Sequence, residues 1–427
     1  MSSDSININF HLKSVGVFDM NIDFYERDES DKRALISKYM LHTYNMGLTT
    51  TSGGNLSVRD ESGRIFITPG GTDKGVMTPG DIVVVGADGR YEGDLRPSSE
   101  LPFHKKIYES NSAFGAILHA HSPEISAFSA VRRIPVPLFA GSVLSEKKVL
   151  MAEYELTGSE ALGEVIYRKF KESADIVVME NHGMISAAPT MREAFLQFEA
   201  LEFSAKIQRL AGCISSKRDH DTGMVDPTTW EETTPTDDGI IFLGDDNNVN
   251  ETEKRTLKSF ILRAYKRGLI CAADDCFSIR CRDGRILMAG AGYRAVHKAI
   301  YDTHPECNAV FIAHPPASTA FCVSKKRIDT RLIPESYMVL QDVGYFDVGQ
   351  LKEGVKSIAK NIAADETLVM LENDGVIALG KTPAQAFDRL EVAEFSARTQ
   401  IQSEMIAKPV VIPEEKIQEL RECFNIR

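Results

Sequence analysis

The chain contains one long stretch of sequence twice. Residues 180–208 match residues 372–400 without a gap, and 13 of these 29 positions are identical. Similarity at a long fixed spacing indicates duplicated domains, because shared composition alone does not conserve the order of residues. At 427 residues, the chain is also longer than a typical single domain of about 100–200 residues. We therefore expect two copies of one folding unit.

Shorter matches extend the repeat towards the amino terminus. Ser57 pairs with Ser278 at a spacing of 221 residues, whereas His104 pairs with His297 at a spacing of 193. The second copy therefore lacks 28 residues, which correspond to the region around Thr68–Arg96. Any chemistry that this region supplies is absent from the second copy.

Each copy carries the same signals for its long closing helix. Thr190 with Glu193, and Thr382 with Gln385, form capping boxes that follow a short apolar run. The remaining apolar segments have the lengths and periods of short strands that alternate with helices. This mixture predicts an α/β fold in layers.

The repeat divides the chain into four parts. Residues between the two copies are polar, acidic and rich in turns, which is typical of a linker. We expect an N-terminal extension over 1–28, a first domain over 29–212, an acidic linker over 213–250 and a second domain over 251–427.

Composition excludes several classes of protein. The formal net charge is −12, which argues against a nucleic-acid-binding surface. No apolar run approaches the roughly 18 residues of a membrane helix, and the first residues lack the pattern of a signal peptide. The seven cysteines are scattered and odd in number, which suits reduced thiols. We expect a cytoplasmic globular protein without a nucleic-acid or membrane partner.

Three histidines of the first copy have the pattern of a metal site. His119 and His121 lie in an apolar run, where a strand would place both imidazoles on one face about 7 Å apart. His182 follows a β-rich run and precedes Gly183, which predicts a tight turn between strands. Three imidazoles with one open position fit catalytic zinc, and other first-row divalent ions are allowed. The same pattern also fits ordinary buried strand histidines.

Glycine and serine turns of the first copy offer groups for an anionic substrate. Glycines in the runs 52–55 and 67–71 let backbone amides approach an anion closely. Ser98 or Ser99 can cap the following helix, which would place the Glu100 carboxylate at the amino end of that helix. Each feature taken alone also fits an ordinary hairpin turn or helix start.

Taken in order, these motifs resemble the class II aldolase/adducin family. The matching runs are Ser52-Gly53-Gly54-Asn55, Ile67-Thr68-Pro69-Gly70-Gly71, Pro97-Ser98-Ser99-Glu100, His119-Ala120-His121 and Asn181-His182-Gly183. The resemblance implies two tandem three-layer αβα domains, each around a mostly antiparallel mixed sheet. It implies one zinc ion per chain in the first domain, with three histidine ligands and Glu100 as the catalytic acid/base. The implied ligands are His119, His121 and His182. The implied phosphate-binding positions are Asn55, Gly71, Ser98 and Ser99, to which we add their neighbours Gly53, Gly54 and Gly70.

The resemblance implies an aldolase-like lyase that acts beside the carbonyl of a sugar phosphate or similar ketose. Splitting that bond leaves an enediolate, whose charge a divalent ion stabilises as a Lewis acid. A carboxylate such as Glu100 suits the accompanying proton transfer. Two positions depart from the family pattern: Gly70 stands where a hydroxyl is usual, and Phe139 where the aldolases have a tyrosine.

Alternative functions stay open within and outside enzymes. The related pentulose-phosphate 4-epimerases carry aspartate at the position of Glu100, whereas a sugar-phosphate dehydratase of the family keeps glutamate there. An adducin-like interaction protein without catalysis is the alternative outside enzymes. About one zinc ion per chain would favour the enzyme, and no metal would favour the interaction protein.

The second copy lacks the candidate catalytic set. The counterparts of Glu100, His119, His121 and His182 are Tyr293, Ile312, His314 and Asp374. We expect a degenerate domain in which His314 is a core histidine, and a weakened His/Asp metal site stays open. Because single-domain family members resemble fourfold rings, we predict a homo-oligomer in which two chains form a pseudo-tetramer.

Overall fold

The computed structural model describes residues 31–92, 94–138, 143–144, 146–214, 240–243, 249–271, 275–290, 292–363 and 366–426. The predicted N-terminal extension over 1–28 and most of the predicted acidic linker lie outside these residues. Phe139, one of the two departures from the family pattern, also lies outside them.

The first copy is built around one eight-stranded sheet. Its strands are β1 (Asn55–Arg59), β2 (Ile65–Ile67), β3 (Val83–Val85), β4 (Tyr91–Glu92), β5 (Ala116–Ala120), β6 (Val149–Ala152), β7 (Ile176–Met179) and β8 (Gly183–Ala188). They follow the order β4-β3-β2-β1-β5-β8-β7-β6. Only the pair β6–β7 is parallel among these eight described strands.

Helices cover both faces of this sheet. They are α1 (Lys32–Asn45), α2 (Leu101–Ser110), α3 (Pro123–Ala130), α4 (Glu160–Lys171) and α5 (Met191–Ile214). Along β5, Leu118 belongs to one buried cluster with Phe195 of α5. The next position back, Ile117, belongs to the opposite cluster with Phe103 of α2, because strand side chains alternate between faces. The predicted three-layer αβα fold is confirmed.

The second copy repeats this architecture around a seven-stranded sheet. Its strands are β9 (Ile240–Phe242), β10 (Cys276–Arg280), β11 (Ile286–Ala289), β12 (Ala309–Ala313), β13 (Gly344–Phe346), β14 (Leu368–Leu371) and β15 (Val376–Gly380). Its helices are α6 (Glu251–Lys266), α7 (Arg294–Thr303), α8 (Pro316–Val323), α9 (Pro334–Leu340), α10 (Val348–Lys352), α11 (Val355–Asn361), α12 (Pro383–Ile406) and α13 (Glu414–Phe424). The strand order is β13-β14-β15-β12-β10-β11-β9.

The two sheets differ at one edge. Strands β3 and β4 belong to the region that the second copy lacks. In their place β9 pairs with β11, and this pairing is parallel. The strand β9 comes from the segment predicted as a linker, so part of that segment completes the second sheet. The sheet edge that β3 covers in the first copy is therefore covered in the second copy by a strand from outside the repeat.

The two copies contact each other through α5 and α8. Ile207, Ala211 and Ile214 of α5 belong to the buried cluster of the second copy. All eight residues of α8 are buried. The two copies therefore share an apolar helix-to-helix interface that is buried within one chain.

A polar contact also joins the two copies. The Tyr265 hydroxyl of α6 donates a hydrogen bond of 2.7 Å to Oε1 of Glu199 in α5. The same hydroxyl lies 3.0 Å from Nε2 of His42 in α1. Within the described residues, no helix is both long and apolar enough to span a membrane.

Candidate metal centre and active site

The three histidines predicted as ligands meet where the central strands of the first sheet end. His119 lies in β5, and His121 follows that strand directly. His182 lies in the turn between β7 and β8, where the preceding Asn181 has a positive φ of 55°. Candidate ligand atoms of the three histidines all lie within 4.8 Å of one another.

Hydrogen bonding determines how His119 faces its neighbours. Its Nδ1 lies 2.9 Å from the Met184 carbonyl oxygen, so Nδ1 carries the proton and donates it. Its Nε2 is then an unprotonated nitrogen, 3.1 Å from Nε2 of His121. Burial lowers the pKa of His119 to about 3. Burial also lowers the pKa of His182 to about 4. Neutral imidazoles are the form that binds metal ions.

The donor set fits a divalent cation. Glu100 Oε2 lies 3.3 Å from Nε2 of His119, and Glu100 Oε1 lies 3.5 Å from Nε2 of His182. Glu100 Oε1 is buried and has no hydrogen-bond partner in the described part of the chain. A buried carboxylate oxygen without a hydrogen-bond donor lacks a compensating positive charge, which a bound cation would provide. Imidazole nitrogens with an open position are the ligand type that zinc prefers in catalytic sites.

A buried chain of hydrogen bonds holds Glu100 in place. Asn55 Nδ2 donates to Glu100 Oε2 at 2.6 Å, and Asn55 Oδ1 accepts from Nε2 of His104. His104 Nδ1 lies 2.7 Å from the Ser57 hydroxyl oxygen, which lies 2.8 Å from the Tyr108 hydroxyl. Because His104 donates through Nε2, its Nδ1 accepts from Ser57. The orientation of the Asn55 amide is thereby fixed, with its donor towards Glu100.

Sequence reasoning missed this hydrogen-bond chain. The family resemblance assigns Asn55 to the phosphate, whereas its side chain contacts Glu100 and His104. A signal was present in the repeat: the second copy keeps the histidine as His297 but has Cys276 in place of Asn55. There Nε2 of His297 is buried without a hydrogen-bond partner in the described residues. The asparagine therefore belongs to the first site and not to the common fold.

The first glycine turn borders the histidines. Gly54 has φ of +68°, and a Cβ added there would lie 2.7 Å from the His119 carbonyl oxygen. A Cβ added to Gly53 would lie 3.6 Å from Nδ1 of His121. Only a residue without a side chain allows this close approach, so glycine is required at Gly54.

The second glycine turn and the serine turn lie side by side. The Ser98 N–H donates to the Thr68 carbonyl oxygen at 3.2 Å. A Cβ added to Gly70 would lie 3.6 Å from Cα of Ser98 and 3.7 Å from the Ser99 nitrogen. Gly71 has φ of +68°. The structure thus brings Gly70 against Ser98 and Ser99, and Gly71 follows in the same turn.

The prediction that Ser98 or Ser99 caps α2 is wrong. Glu100 itself occupies the N-cap position, and no side chain caps the helix. Ser98 Oγ instead accepts a hydrogen bond of 3.3 Å from the Glu100 N–H. The serine therefore fixes the backbone of Glu100 before the helix begins, and the Glu100 side chain turns towards the histidines.

The corresponding site in the second copy is a buried hydrogen-bonded cluster. Asp374 Oδ1 accepts from the Tyr293 hydroxyl at 2.7 Å and lies 2.9 Å from Nε2 of His314. Nδ1 of His314 lies 3.0 Å from Asp275 Oδ1. Burial lowers the pKa of His314, but the hydrogen bonds and charges of Asp275 and Asp374 outweigh burial and raise it to about 10. A protonated imidazole between two carboxylates has no free nitrogen for a metal ion.

One protein family matches both copies of the chain. The family model described as the class II aldolase and adducin N-terminal domain matches residues 34–209 and 263–401. An L-fuculose phosphate aldolase of Methanococcus maripaludis is 31% identical over 164 residues, which are 38% of this chain and 88% of that protein. A 5-deoxy-D-ribulose 1-phosphate aldolase of Bacillus thuringiensis serovar kurstaki is 30% identical over 179 residues, covering 41% of this chain and 83% of that protein. A solved L-fuculose 1-phosphate aldolase is 32% identical with a TM-score of 0.40, covering 44% of this chain and 88% of its own.

Proposed function

The chain belongs to the class II aldolase and adducin family, and we propose that it is a metal-dependent lyase. It cleaves or forms a C–C bond beside the carbonyl of a sugar phosphate or a similar ketose. The observation that carries this proposal is the cluster of three histidines with Glu100 at 3.3 Å from His119 and 3.5 Å from His182. The relatives named as sugar-phosphate aldolases support the choice of reaction.

In this proposal the metal ligands are His119, His121 and His182. Their nitrogen donors favour zinc, although another first-row divalent ion suits the same donors. When bound, the ion supplies Lewis-acid stabilisation of negative charge beside the substrate carbonyl. The ligands stay neutral at pH 7 because burial lowers the pKa of each.

Glu100 moves the proton in this proposal. Asn55 holds Oε2 at 2.6 Å, which leaves Oε1 without a partner among the described residues and facing the histidines. A carboxylate held in this way accepts a proton from the substrate through Oε1 and returns it in the reverse direction. Asn55 is a positioning residue, because it orients the carboxylate that exchanges the proton.

The two turns bind the phosphate of the substrate in this proposal. Gly53 and Gly54 lie at the rim of the histidine cluster, and the turn at Gly70 and Gly71 packs against the serine turn. Backbone N–H groups at glycine turns bind anions because no side chain hinders their approach.

Metal content and a substrate panel test the proposal. We expect about one zinc ion per chain by elemental analysis, and its loss in His119→Ala. Incubation with ketose 1-phosphates, pentulose 5-phosphates and unphosphorylated sugar acids should yield a C–C cleavage product from one class. An epimerised pentulose or a dehydrated sugar would instead support the epimerase or dehydratase alternative. A chain without bound metal and without turnover would support the interaction protein.

We also propose that the chain works as a homo-oligomer. Within one chain, α5 of the first copy covers α8 of the second copy. In the equivalent pair, α12 of the second copy and α3 of the first, the described residues leave apolar side chains exposed: Phe395 of α12 is 50% exposed, and within α3 only Ile125 and Ser129 are buried. A second chain can cover both faces, because its α3 and α12 are the complements that the first chain lacks.

A further inference from the structure

Lys74 is a buried lysine outside the candidate metal centre. It begins a short 3-10 turn, Lys74–Val76, between β2 and β3. The residue is only 1% exposed. Its Nζ donates a hydrogen bond of 2.9 Å to the Pro69 carbonyl oxygen. No carboxylate of the described residues forms an ion pair with it.

A buried ammonium without a carboxylate is costly for a fold. Moving an unpaired charge from water into the protein interior costs on the order of several kcal/mol. One carbonyl oxygen satisfies one of its three N–H groups and does not neutralise the charge. Burial accordingly lowers the pKa of Lys74 to about 8, which leaves the ammonium form dominant at pH 7. The ammonium form of such a lysine is stabilised when a negatively charged ligand binds close to it.

Lys74 lies behind the turns that the proposed function assigns to a phosphate. Its backbone N–H donates to the Thr51 carbonyl oxygen at 2.9 Å, which connects it to the turn that contains Gly53. Its side chain holds the carbonyl of Pro69, the residue before Gly70. Gly70 in turn packs against the serine turn. One residue therefore links all three segments.

The repeat supplies an independent observation. The second copy lacks the region around Thr68–Arg96, which contains Lys74. It also has Tyr293, Ile312 and Asp374 in place of Glu100, His119 and His182. The cores of both copies are nevertheless complete sheets. The fold therefore forms without this lysine, and its presence coincides with the candidate catalytic residues.

We propose that Lys74 is a positioning residue for an anionic substrate: its buried ammonium holds the Pro69–Gly71 turn and supplies the positive charge that balances a bound phosphate group. This inference rests on the proposed function and adds a determinant of specificity for phosphorylated over unphosphorylated ketoses. Pro69 has no N–H group, and the Gly70 N–H donates to the Arg96 carbonyl oxygen at 3.1 Å. In this proposal the Gly71 N–H is therefore the group of the turn that faces the anion. The ammonium acts through the turn and through its charge, since its side chain is enclosed.

Binding of inorganic phosphate to the zinc-loaded full chain tests the inference. Lys74→Met removes the charge at nearly constant side-chain length, and Lys74→Arg keeps the charge. Lys408→Met is the matched control, because Lys408 is an exposed lysine of the second copy. By calorimetry we expect Lys74→Met to weaken phosphate binding about tenfold, because the enclosed charge attracts the anion without touching it. Lys74→Arg should keep most of the affinity, and Lys408→Met all of it.

The zinc content separates failure of this inference from failure of the proposed function. Unchanged phosphate affinity in Lys74→Met, or no phosphate binding by the wild-type chain, overturns the role of Lys74 whatever the metal content. Absence of zinc from the wild-type chain overturns the proposed metal centre instead. If Lys74→Met does not fold, Lys74→Gln serves in its place. With a turned-over ketose phosphate, the inference further requires a raised KM with kcat within about threefold, whereas a general loss of structure lowers both kcat and zinc content.

Discussion

The environment of Glu100 shows how single residues define the first site. Its Oε2 is held by Asn55, and its Oε1 is buried without a partner in the described residues. Oε2 is therefore fixed in position, and Oε1 is available to accept a proton. The same carboxylate next to solvent would be free to rotate and would exchange protons with water.

Glu100→Gln should remove turnover and leave the metal centre intact. The amide has nearly the same shape and can still accept the hydrogen bond from Asn55 through its oxygen, but it does not take up a proton at neutral pH. We expect kcat to fall by about 100-fold to 10,000-fold, the usual contribution of general acid–base catalysis. Zinc content should stay near that of the wild-type chain. Glu109→Gln, on the exposed side of α2, is the control, and retained activity in Glu100→Gln would contradict the role.

His314 occupies the position equivalent to His121 in the second copy, but its surroundings differ. Asp275 and Asp374 flank the imidazole at 3.0 Å and 2.9 Å, and the Tyr293 hydroxyl completes the cluster. The prediction that His314 is a core histidine agrees with these contacts. Where the first copy keeps neutral nitrogens, the second keeps a protonated imidazole between carboxylates.

Asp374→Asn should destabilise the second copy. Asp275 still pairs with His314 in this variant, so the change removes one charged hydrogen bond of the buried imidazole, at a cost of about 1.5–3 kcal/mol in the free energy of unfolding. The pKa of His314 is raised to about 10 in the folded chain, above its unfolded value. Its stabilising contribution is therefore complete below about pH 6.5 and is lost as the pH rises towards 10. Urea unfolding measures the first effect, and nitrogen chemical shifts of His314 measure its protonation; titration near pH 6.5 in the wild-type chain would contradict it.

At the scale of secondary-structure elements, the site depends on the pairing of β1 with β5. This pairing places Asn55 opposite His119. The turn before β1 approaches β5 so closely that a Cβ on Gly54 would lie 2.7 Å from a backbone oxygen. The positions of Glu100 and the first metal ligand are therefore linked through two adjacent strands.

Gly54→Ala should displace β1 and reduce zinc content. Alanine at this position must keep the positive φ of the glycine, at a cost of about 1–2 kcal/mol. Its methyl group would also clash with the His119 carbonyl oxygen. Gly63→Ala is the matched control, because Gly63 also has a positive φ of 81° but a Cβ there meets no atom within 4 Å. We expect both variants to lose thermal stability and only Gly54→Ala to lose zinc. Equal zinc content in the two variants would show that the close approach is unimportant for the metal centre.

At the scale of the whole molecule, the intramolecular interface suggests how chains associate. Phe203 of α5 packs against the core of the second copy, whereas its counterpart Phe395 in α12 is 50% exposed. Ile214 is 5% exposed, whereas its counterpart Ile406 is 87% exposed. The equivalent helices α5 and α12 thus each have an apolar face, which is covered in α5 and exposed in α12.

Phe395→Asp should convert the proposed dimer into a monomer. A carboxylate on that face would have to be buried against α3 of a second chain, which is unfavourable without a partner. Light scattering should give a mass near twice 47.3 kDa for the wild-type chain and near 47.3 kDa for the variant. Phe424→Asp is the control, because Phe424 has a similar exposure of 60% but belongs to a different helix, α13. A wild-type chain that is monomeric at micromolar concentration would overturn the proposed assembly.

Much of the fold could be predicted from the sequence because its signals are local. The repeat gave the duplication, and alternation of apolar residues gave the strands. Thr190 and Thr382 each accept a hydrogen bond from an N–H of the first turn of their helix, as their spacing predicts. The candidate ligands were also recognisable, since His119 and His121 are neighbours and His182 lies in a short motif.

The sequence by itself determined that there are two copies of one fold and that only the first copy keeps three histidines and Glu100. The tertiary structure decided which distant groups meet: Asn55 with Glu100, Lys74 with Pro69, and β9 with the edge of the second sheet. These contacts depend on how whole sheets close and on which buried polar groups need a partner. Periodicity, caps and motifs act over a few residues, so they fix the elements but not the hydrogen bonds between them.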